Sequence, residues 1–411
     1  MLLLFTIAAL VLANSPLAKA YEHFWQIPLT LGIVDHSLSL TLHQWINDGL
    51  MAVFFLLVGL EIKRELLVGE LASVRKATLP IACAIGGIIV PAAVYWTLNP
   101  SGVGARGWGI PVATDIAFAL GALTLIAPRA PIRAKVFLTA LAIVDDMGAV
   151  LVIALFYSSS IAWGALAAAG LMLFILVGLN ATGVRQLWPY LLVGGFLWYF
   201  VHESGIHATV AGVMLAFTIP AHTRMNAAEF SRRARGLLDR FDRNETGDFL
   251  VLTSEGQQET LFALKHASHD VTAPILRLEH ALHKFSAFVV MPLFAFANAG
   301  VTIGGPIQHG AIVLGVFLGL VVGKPLGIMA AALVAVKSGI AKLPGNVSWT
   351  GLLGYACLAG IGFTMSLFIA MLAFDDAALI GPAKLGILVG SLLAGIAGAI
   401  VLRIAIAFRD D

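Results

Sequence analysis

Four ionisable residues lie inside long apolar runs of this chain. Asp115 closes Pro111-Val112-Ala113-Thr114-Asp115, Asp145 and Asp146 are adjacent in Ala142-Ile143-Val144-Asp145-Asp146-Met147-Gly148, and Lys324 lies in Gly323-Lys324-Pro325-Leu326-Gly327. An ionisable side chain at bilayer depth costs at least about 2.5 kcal/mol on insertion scales, so each is a functional candidate by default. Neighbouring residues on a helix point about 100° apart. One aspartate can therefore face an aqueous cavity while the other faces a partner helix. Lys324 is the obvious counter-charge for one of them, because an unpaired ammonium or carboxylate in low dielectric is neutralised by losing or gaining a proton. Pairing Lys324 with Asp145 leaves Asp146 free. A free carboxylate in a water-filled funnel binds either Na⁺ or H⁺ but not both well, and that competition is the simplest physical route to cation–proton exchange. Helix gluing by buried charge is the plainer alternative, but an adjacent acid pair with a third acid and an opposing base exceeds what gluing needs.

The elements that hold these residues must be transmembrane helices. The chain has 411 residues, 59% hydrophobic and 12% charged, with a mean hydropathy of +0.93, whereas soluble domains carry roughly 25% charged residues. Apolar runs of about 20 residues, the length that crosses about 30 Å of hydrocarbon, recur throughout. Runs such as Val136 to Phe156 and Gly310 to Val336 are apolar on every face, unlike the alternating strands of a β-barrel. The expected fold is all-α and polytopic, with twelve spans at 1 to 14, 48 to 62, 78 to 98, 110 to 127, 136 to 157, 161 to 180, 187 to 202, 204 to 220, 285 to 303, 310 to 336, 350 to 374 and 382 to 408. Residues 1 to 220 thus hold eight spans and 285 to 411 hold four, around a hydrophilic segment at 221 to 284. The 42 glycines suit close helix packing. Two spans contain breakers: Thr114-Asp115 follows Pro111, and Gly360-Ile361-Gly362-Phe363-Thr364 interrupts the eleventh. Both helices are expected to unwind near mid-membrane, aiming their terminal dipoles at the bilayer centre. Asp115 would offset the positive N-terminal ends and Lys324 the C-terminal ones.

Lys63, Arg64, Arg75, Lys76, Arg129, Arg133, Lys135, Arg185, Lys337, Lys342, Arg403 and Arg409 fall on one side of this threading, against Lys19, Arg106 and Lys384 on the other. The positive-inside rule then places both termini in the cytoplasm. Met1 to Ala20 ends in a small-residue pattern like a signal-peptide cleavage site but lacks the charged start, so it is read as a first helix. Residues 21 to 47 form an extracytoplasmic connection in which Ser37-Leu38-Ser39-Leu40-Thr41-Leu42 has the period of a strand. A small hairpin used in dimer contact and an ordinary loop fit it equally. In the cytoplasmic 221 to 284 segment, Gln258 to His283 reads as helix and the first half as disordered chain. Cys83 and Cys357 sit in apolar runs and suggest neither a disulfide nor a metal site. The net charge of +2, with basic residues dispersed over loops, excludes a nucleic-acid partner.

The same residues carry a resemblance. Trp45-Ile46-Asn47-Asp48-Gly49-Leu50, Gly59-Leu60-Glu61-Ile62-Lys63-Arg64-Glu65-Leu66, Ala113-Thr114-Asp115-Ile116-Ala117-Phe118, Ala142-Ile143-Val144-Asp145-Asp146, Gly205-Ile206-His207-Ala208-Thr209, Leu278-Glu279-His280-Ala281-Leu282-His283, Phe294-Ala295-Phe296-Ala297-Asn298-Ala299-Gly300 and Gly323-Lys324-Pro325-Leu326-Gly327 together resemble the NhaA family of bacterial sodium/proton antiporters, through nearly the whole chain. The resemblance implies a multi-pass inner-membrane transporter built as inverted repeats, spans three to five matching ten to twelve, with two interrupted helices that cross. It implies pH-regulated, electrogenic export of Na⁺ or Li⁺, more protons entering than sodium ions leave, with no cofactor, in a homodimer surrounded by lipid. Asp145 and Asp146 would hold the transient Na⁺ or Li⁺, Lys324 would pair with Asp145, and Thr114 and Asp115 would support the crossing. A pH-sensing cluster would fall on Glu61, Arg64, Glu65, Glu279, His280 and His283, with His207 as a further candidate. Histidine titrates near neutrality, which suits that role, although Glu61 and Arg64 also read as an ordinary surface pair.

The chain departs from the family pattern in beginning almost within its first helix and in the length of its 221 to 284 loop, which runs directly into Glu279, His280 and His283. An enzyme is not expected. An intramembrane aspartyl protease needs a Gly-x-Gly-Asp motif and a rhomboid protease a Gly-x-Ser-Gly core, and neither occurs. A cation channel, or an antiporter of another monovalent cation, is the remaining alternative. The adjacent titratable pair opposed by a lysine favours exchange at one site.

Overall fold

The computed structural model describes residues 1–33, 36–128, 131–158, 161–223, 225–243, 255–302, 309–345 and 347–410. Seven continuous helices are long and apolar enough to cross a membrane: Leu42–Val68, Val74–Leu98, Ile132–Phe156, Trp163–Ala181, Pro274–Asn298, Gly310–Lys337 and Ala377–Ala405. Three bent pairs join them, Leu2–Ala13 with Ala18–Trp25, Val103–Val112 with Ile116–Ile126, and Trp349–Ala359 with Phe363–Ala373. The helix Leu187–Glu203 and the short Thr209–Thr218 occupy the seventh and eighth expected positions. Each of the twelve expected spans therefore meets a helix or a broken helix.

Two large hydrophobic cores fill the bundle, with a small third cluster of Val58, Ile62, Leu71, Ala77 and Ile143 beside them. One large core gathers Ile110, Leu138, Leu141, Ile328, Leu358, Ile369 and Ile387, from both interrupted helices and the long helices around them. The other gathers Leu60, Leu176, Tyr190, Leu197, Leu215 and Leu278. The helix Leu42–Val68 contributes to both, Met51 and Phe55 to the first and Leu56 and Leu60 to the second. Helix Val74–Leu98 packs against Lys324–Lys337 with backbones nearly touching, and a Cβ at Gly327 would collide with the carbonyl oxygen of Gly86. That approach is the small-residue packing membrane helices favour.

Three of the long helices contain a π turn: Trp45–Leu50, Ser286–Val290 and Gly319–Gly323. The last immediately precedes Lys324-Pro325. Proline cannot donate to the preceding turn, and a wider turn absorbs the missing hydrogen bond without ending the helix.

Several sequence expectations are corrected or sharpened. The 21 to 47 connection contains the helix Ala18–Trp25 in part and an antiparallel hairpin, Pro28–Ile33 with His36–Thr41, in register Pro28↔Thr41 and Leu29↔Leu40. Trp45 anchors the hairpin by donating to Leu29 O at 3.1 Å. In the 221 to 284 segment, residues expected to be disordered form the helix Ala227–Arg243, because Phe230, Leu237 and Phe241 recur at helical spacing. The helix expected over Gln258 to His283 is two, Glu255–Val271 and Pro274–Phe285, divided where Pro274 cannot continue the first. The second runs unbroken into the ninth span, so 284 is not an element boundary. Residues 244–254 of that segment, and Arg129 of the charge tally, lie outside the described residues.

Candidate functional site

The two interrupted helices break beside each other. Val103–Val112 and Ile116–Ile126 are bent by 42°, Trp349–Ala359 and Phe363–Ala373 by 46°. The backbones meet directly, Asp115 N–H donating to Ile361 O at 2.7 Å. Only glycine fits at Gly362, where a Cβ would meet Ala113 O at 3.0 Å and Ser366 Oγ closer still.

One carboxylate caps both half-helices. Asp115 Oδ1 accepts from Phe118 N–H at 3.0 Å, in the first turn of its own helix. Its Oδ2 accepts from Thr364 N–H at 3.1 Å, in the first turn of the other, and from the Thr364 hydroxyl. Asp115 is fully buried, so its charge is balanced by these donors and by two positive helix ends. Lys324 does the converse, donating to Val112 O at the end of the preceding half-helix.

Lys324 Nζ also lies 2.7 Å from Asp145 Oδ2, with both side chains at 0% exposure. The same Asp145 oxygen lies 2.7 Å from Thr114 Oγ1, which lies 2.8 Å from Ala359 O. Thr114 thus ties the aspartate helix Ile132–Phe156 to both breaks. Asp146, one residue on, is only 1% exposed. Neither of its oxygens has a hydrogen-bond partner among the described residues, nor does Asp145 Oδ1. Burying a lone carboxylate costs several kcal/mol unless a proton or cation neutralises it. The four expected intramembrane charges and Thr114 therefore converge, and Asp146 alone of them has both carboxylate oxygens uncommitted.

The candidates at the ends of the helices Leu42–Val68 and Pro274–Phe285 form a looser group. Arg64 Nη1 is 2.5 Å from Glu279 Oε1 and its Nη2 3.6 Å from Glu65 Oε1. Glu65 also accepts from Glu70 N–H at 3.0 Å. Glu61, on the same helix as Arg64, is close enough to act electrostatically on both Glu279 and Asp146. His280 and His283 are exposed on the neighbouring helix. His207 stands apart from them, half-buried against Phe368 with ring centroids 6.1 Å apart and its Nδ1 without a hydrogen-bond partner among the described residues.

Sequence reasoning did not single out Thr364, Ser366 or Ser391, which bind the crossing together. Ser366 Oγ donates to Ile110 O at 2.7 Å, and Phe363 N–H donates to Ser391 Oγ at 3.1 Å. The Gly-Ile-Gly-Phe-Thr run was a signal for Thr364, since a threonine just after a glycine break sits at a helix start. Ser391, inside an unbroken apolar helix, had no such marker.

Comparison with known proteins gives the chain's relatives. The profile of the family described as Na⁺/H⁺ antiporter 1 matches residues 1–402. A protein named Na⁺/H⁺ antiporter NhaA from Oleidesulfovibrio alaskensis is 47% identical over 408 residues, covering 98% of this chain and 91% of the relative. Na⁺/H⁺ antiporter NhaA 2 of Syntrophotalea carbinolica is 49% identical over 403 residues, covering 97% and 91%. Na⁺/H⁺ antiporter NhaA 1 of Saccharophagus degradans is 48% identical over 402 residues, covering 97% and 87%. With its crossing broken helices and buried aspartate pair, and with similarity extending over almost its whole length, this multi-pass membrane chain belongs to the Na⁺/H⁺ antiporter 1 family.

Proposed function

We propose that this chain is an electrogenic, pH-regulated antiporter of the bacterial inner membrane, exporting Na⁺ or Li⁺ with the inward proton gradient and both its termini cytoplasmic. Its relatives are antiporters and not enzymes, with Na⁺ and H⁺ as the ions exchanged. The observation that carries the reading is the carboxylate of Asp146, buried with both oxygens uncommitted beside the Lys324–Asp145 pair. Such a group is stable with a proton on it, or with a cation on it, and not with neither. Asp146 and Asp145 then alternate between cation-bound and protonated states while the site opens to one side at a time. Lys324 holds Asp145, Thr114 orients the same carboxylate, and Asp115 keeps the crossing intact. No cofactor enters this scheme. Two separate cores sharing the helix Leu42–Val68 provide a seam along which one half can move against the other. Arg64, Glu65, Glu279, Glu61, His280 and His283, with His207, are the groups proposed to set the pH response. The hairpin Pro28–Ile33 with His36–Thr41 is the element proposed to join a homodimer in the lipid bilayer.

The test uses everted membrane vesicles from cells lacking their own antiporters, energised to acidify the interior and followed with a ΔpH-sensitive dye as Na⁺, Li⁺ or K⁺ is added from pH 6.5 to 8.5. Collapse of ΔpH by Na⁺ or Li⁺, steeper at alkaline pH, is the expected result. If no cation collapses it at any pH although the protein is present, the exchange reading fails, and cation conductance is measured next.

A further inference from the structure

A cavity of about 520 Å³ opens beside the amino-terminal ends of two spans, Val74–Leu98 and Ile132–Phe156, against the connection that follows Lys337. Arg75, Lys76, Arg133 and Lys342 all line it. Arg133 folds over the connection, where a Cβ at Gly345 would meet its Nη1 at 2.5 Å. Glu70 is the one acid of the lining and takes Lys76 at 3.4 Å, in a pair whose side chains are 36% and 61% exposed. Arg75, Arg133 and Lys342 have no carboxylate within ion-pair distance among the described residues.

The helix ends add to this positive field. Both spans begin without a side-chain cap and without an acid in the first turn. A helix amino terminus favours negative charge, yet these two carry Arg75, Lys76, Arg133 and Lys135 there. Two positive helix ends and four cations converge on a space with a single acid, which is the electrostatics of an anion site.

The wall of the cavity is apolar: Leu79 and Phe137 are buried, and Val136 continues the surface outward at 38% exposure. Ile132 at 80% and Val74 at 85% stand exposed at the same level, where spans meet the membrane surface. A small soluble anion gains nothing from that strip. An anion carrying hydrocarbon chains does, with its phosphate among the cations and its chains along Ile132 and Val136.

We propose that this cavity binds the phosphodiester headgroup of an anionic phospholipid, gripping the start of the helix that carries Asp145 and Asp146. The site lies apart from the transport residues and does not depend on which cation is exchanged.

Thermal melting of the purified full chain in detergent tests it, titrating in phosphatidylglycerol, phosphatidylcholine with the same acyl chains, or inorganic pyrophosphate. Phosphatidylglycerol is expected to raise the melting temperature at concentrations where phosphatidylcholine does not. Each cation removed should raise the half-saturating lipid concentration about fivefold, the equivalent of about 1 kcal/mol per basic residue at an anionic surface, so the triple variant Arg75→Gln/Arg133→Gln/Lys342→Gln should shift it about 100-fold. Should the triple variant not fold, Lys342→Gln alone, exposed on a connection, carries the fivefold test. Arg403→Gln, exposed on another helix and outside the cavity lining, is the control and should change nothing. Equal response to both lipids, an unshifted response in the lining variants, or an equal loss in Arg403→Gln would overturn the proposal. Protection by pyrophosphate alone to the same extent would reassign the cavity to a soluble anion.

Discussion

Asp145 and Asp146 are neighbours with opposite fates. Asp145 has spent one oxygen on Lys324 and Thr114, at 2.7 Å each, whereas Asp146 has spent neither. The difference follows from the turn of roughly 100° between consecutive helical residues. Asp146→Asn keeps the shape and removes the charge, so it is expected to abolish Na⁺-dependent ΔpH collapse while the protein still inserts and melts as a folded species. Retained wild-type exchange would remove Asp146 from the site. Lys324→Leu strands Asp145 as a buried charge, and breaking such a pair costs about 3–5 kcal/mol. A clear fall in melting temperature is expected, with partial recovery in the double variant Lys324→Leu/Asp145→Leu, since replacing both members of a buried pair by apolar residues is often neutral. An unchanged melting curve for Lys324→Leu would contradict the pairing.

At the scale of elements, the interrupted helices exist because each break leaves backbone groups without helical partners, and each break supplies partners to the other. Asp115 satisfies donors on two half-helices at once, and Thr364 completes its coordination. Asp115→Asn preserves volume but replaces one acceptor oxygen with a donor that would face donors. Losing a cap costs about 0.5–2 kcal/mol, so a modest drop in melting temperature with slowed exchange is expected from parallel melting and vesicle assays. A variant equal to wild type in both would show that the crossing does not rely on the charge. The π turn before Lys324-Pro325 has the same logic: a missing donor is absorbed locally and the lysine is kept on a continuous helix.

At the scale of the molecule, Arg64 and Glu279 join helices Leu42–Val68 and Pro274–Asn298 at 2.5 Å, beside the core those helices share. Glu279→Gln removes one negative charge from a group that also holds Glu61 and Glu65. With one negative charge fewer in the group, the activation profile of exchange should move to more acidic pH with little change in maximal rate. A vesicle pH profile superimposable on wild type would exclude Glu279 from the sensor. Much of this organisation was legible beforehand. The twelve apolar runs, the four intramembrane charges, both breaks and the need of Lys324 for one aspartate partner follow from composition and local spacing, because the bilayer penalises every misplaced charge and fixes helix length, whereas the choice of Asp145 rests on the family resemblance. The helix Ala227–Arg243 is masked in the sequence by its many charges, which resemble disordered chain, although its apolar residues recur at helical spacing. Which aspartate oxygens stay uncommitted, that one carboxylate caps two helices, that Ser366 and Ser391 brace the crossing, and that Arg75, Arg133 and Lys342 share a cavity were decided only by packing. The Ser366–Ile110 hydrogen bond alone joins residues 256 positions apart, and a one-dimensional pattern carries no information about which distant backbone will supply a partner.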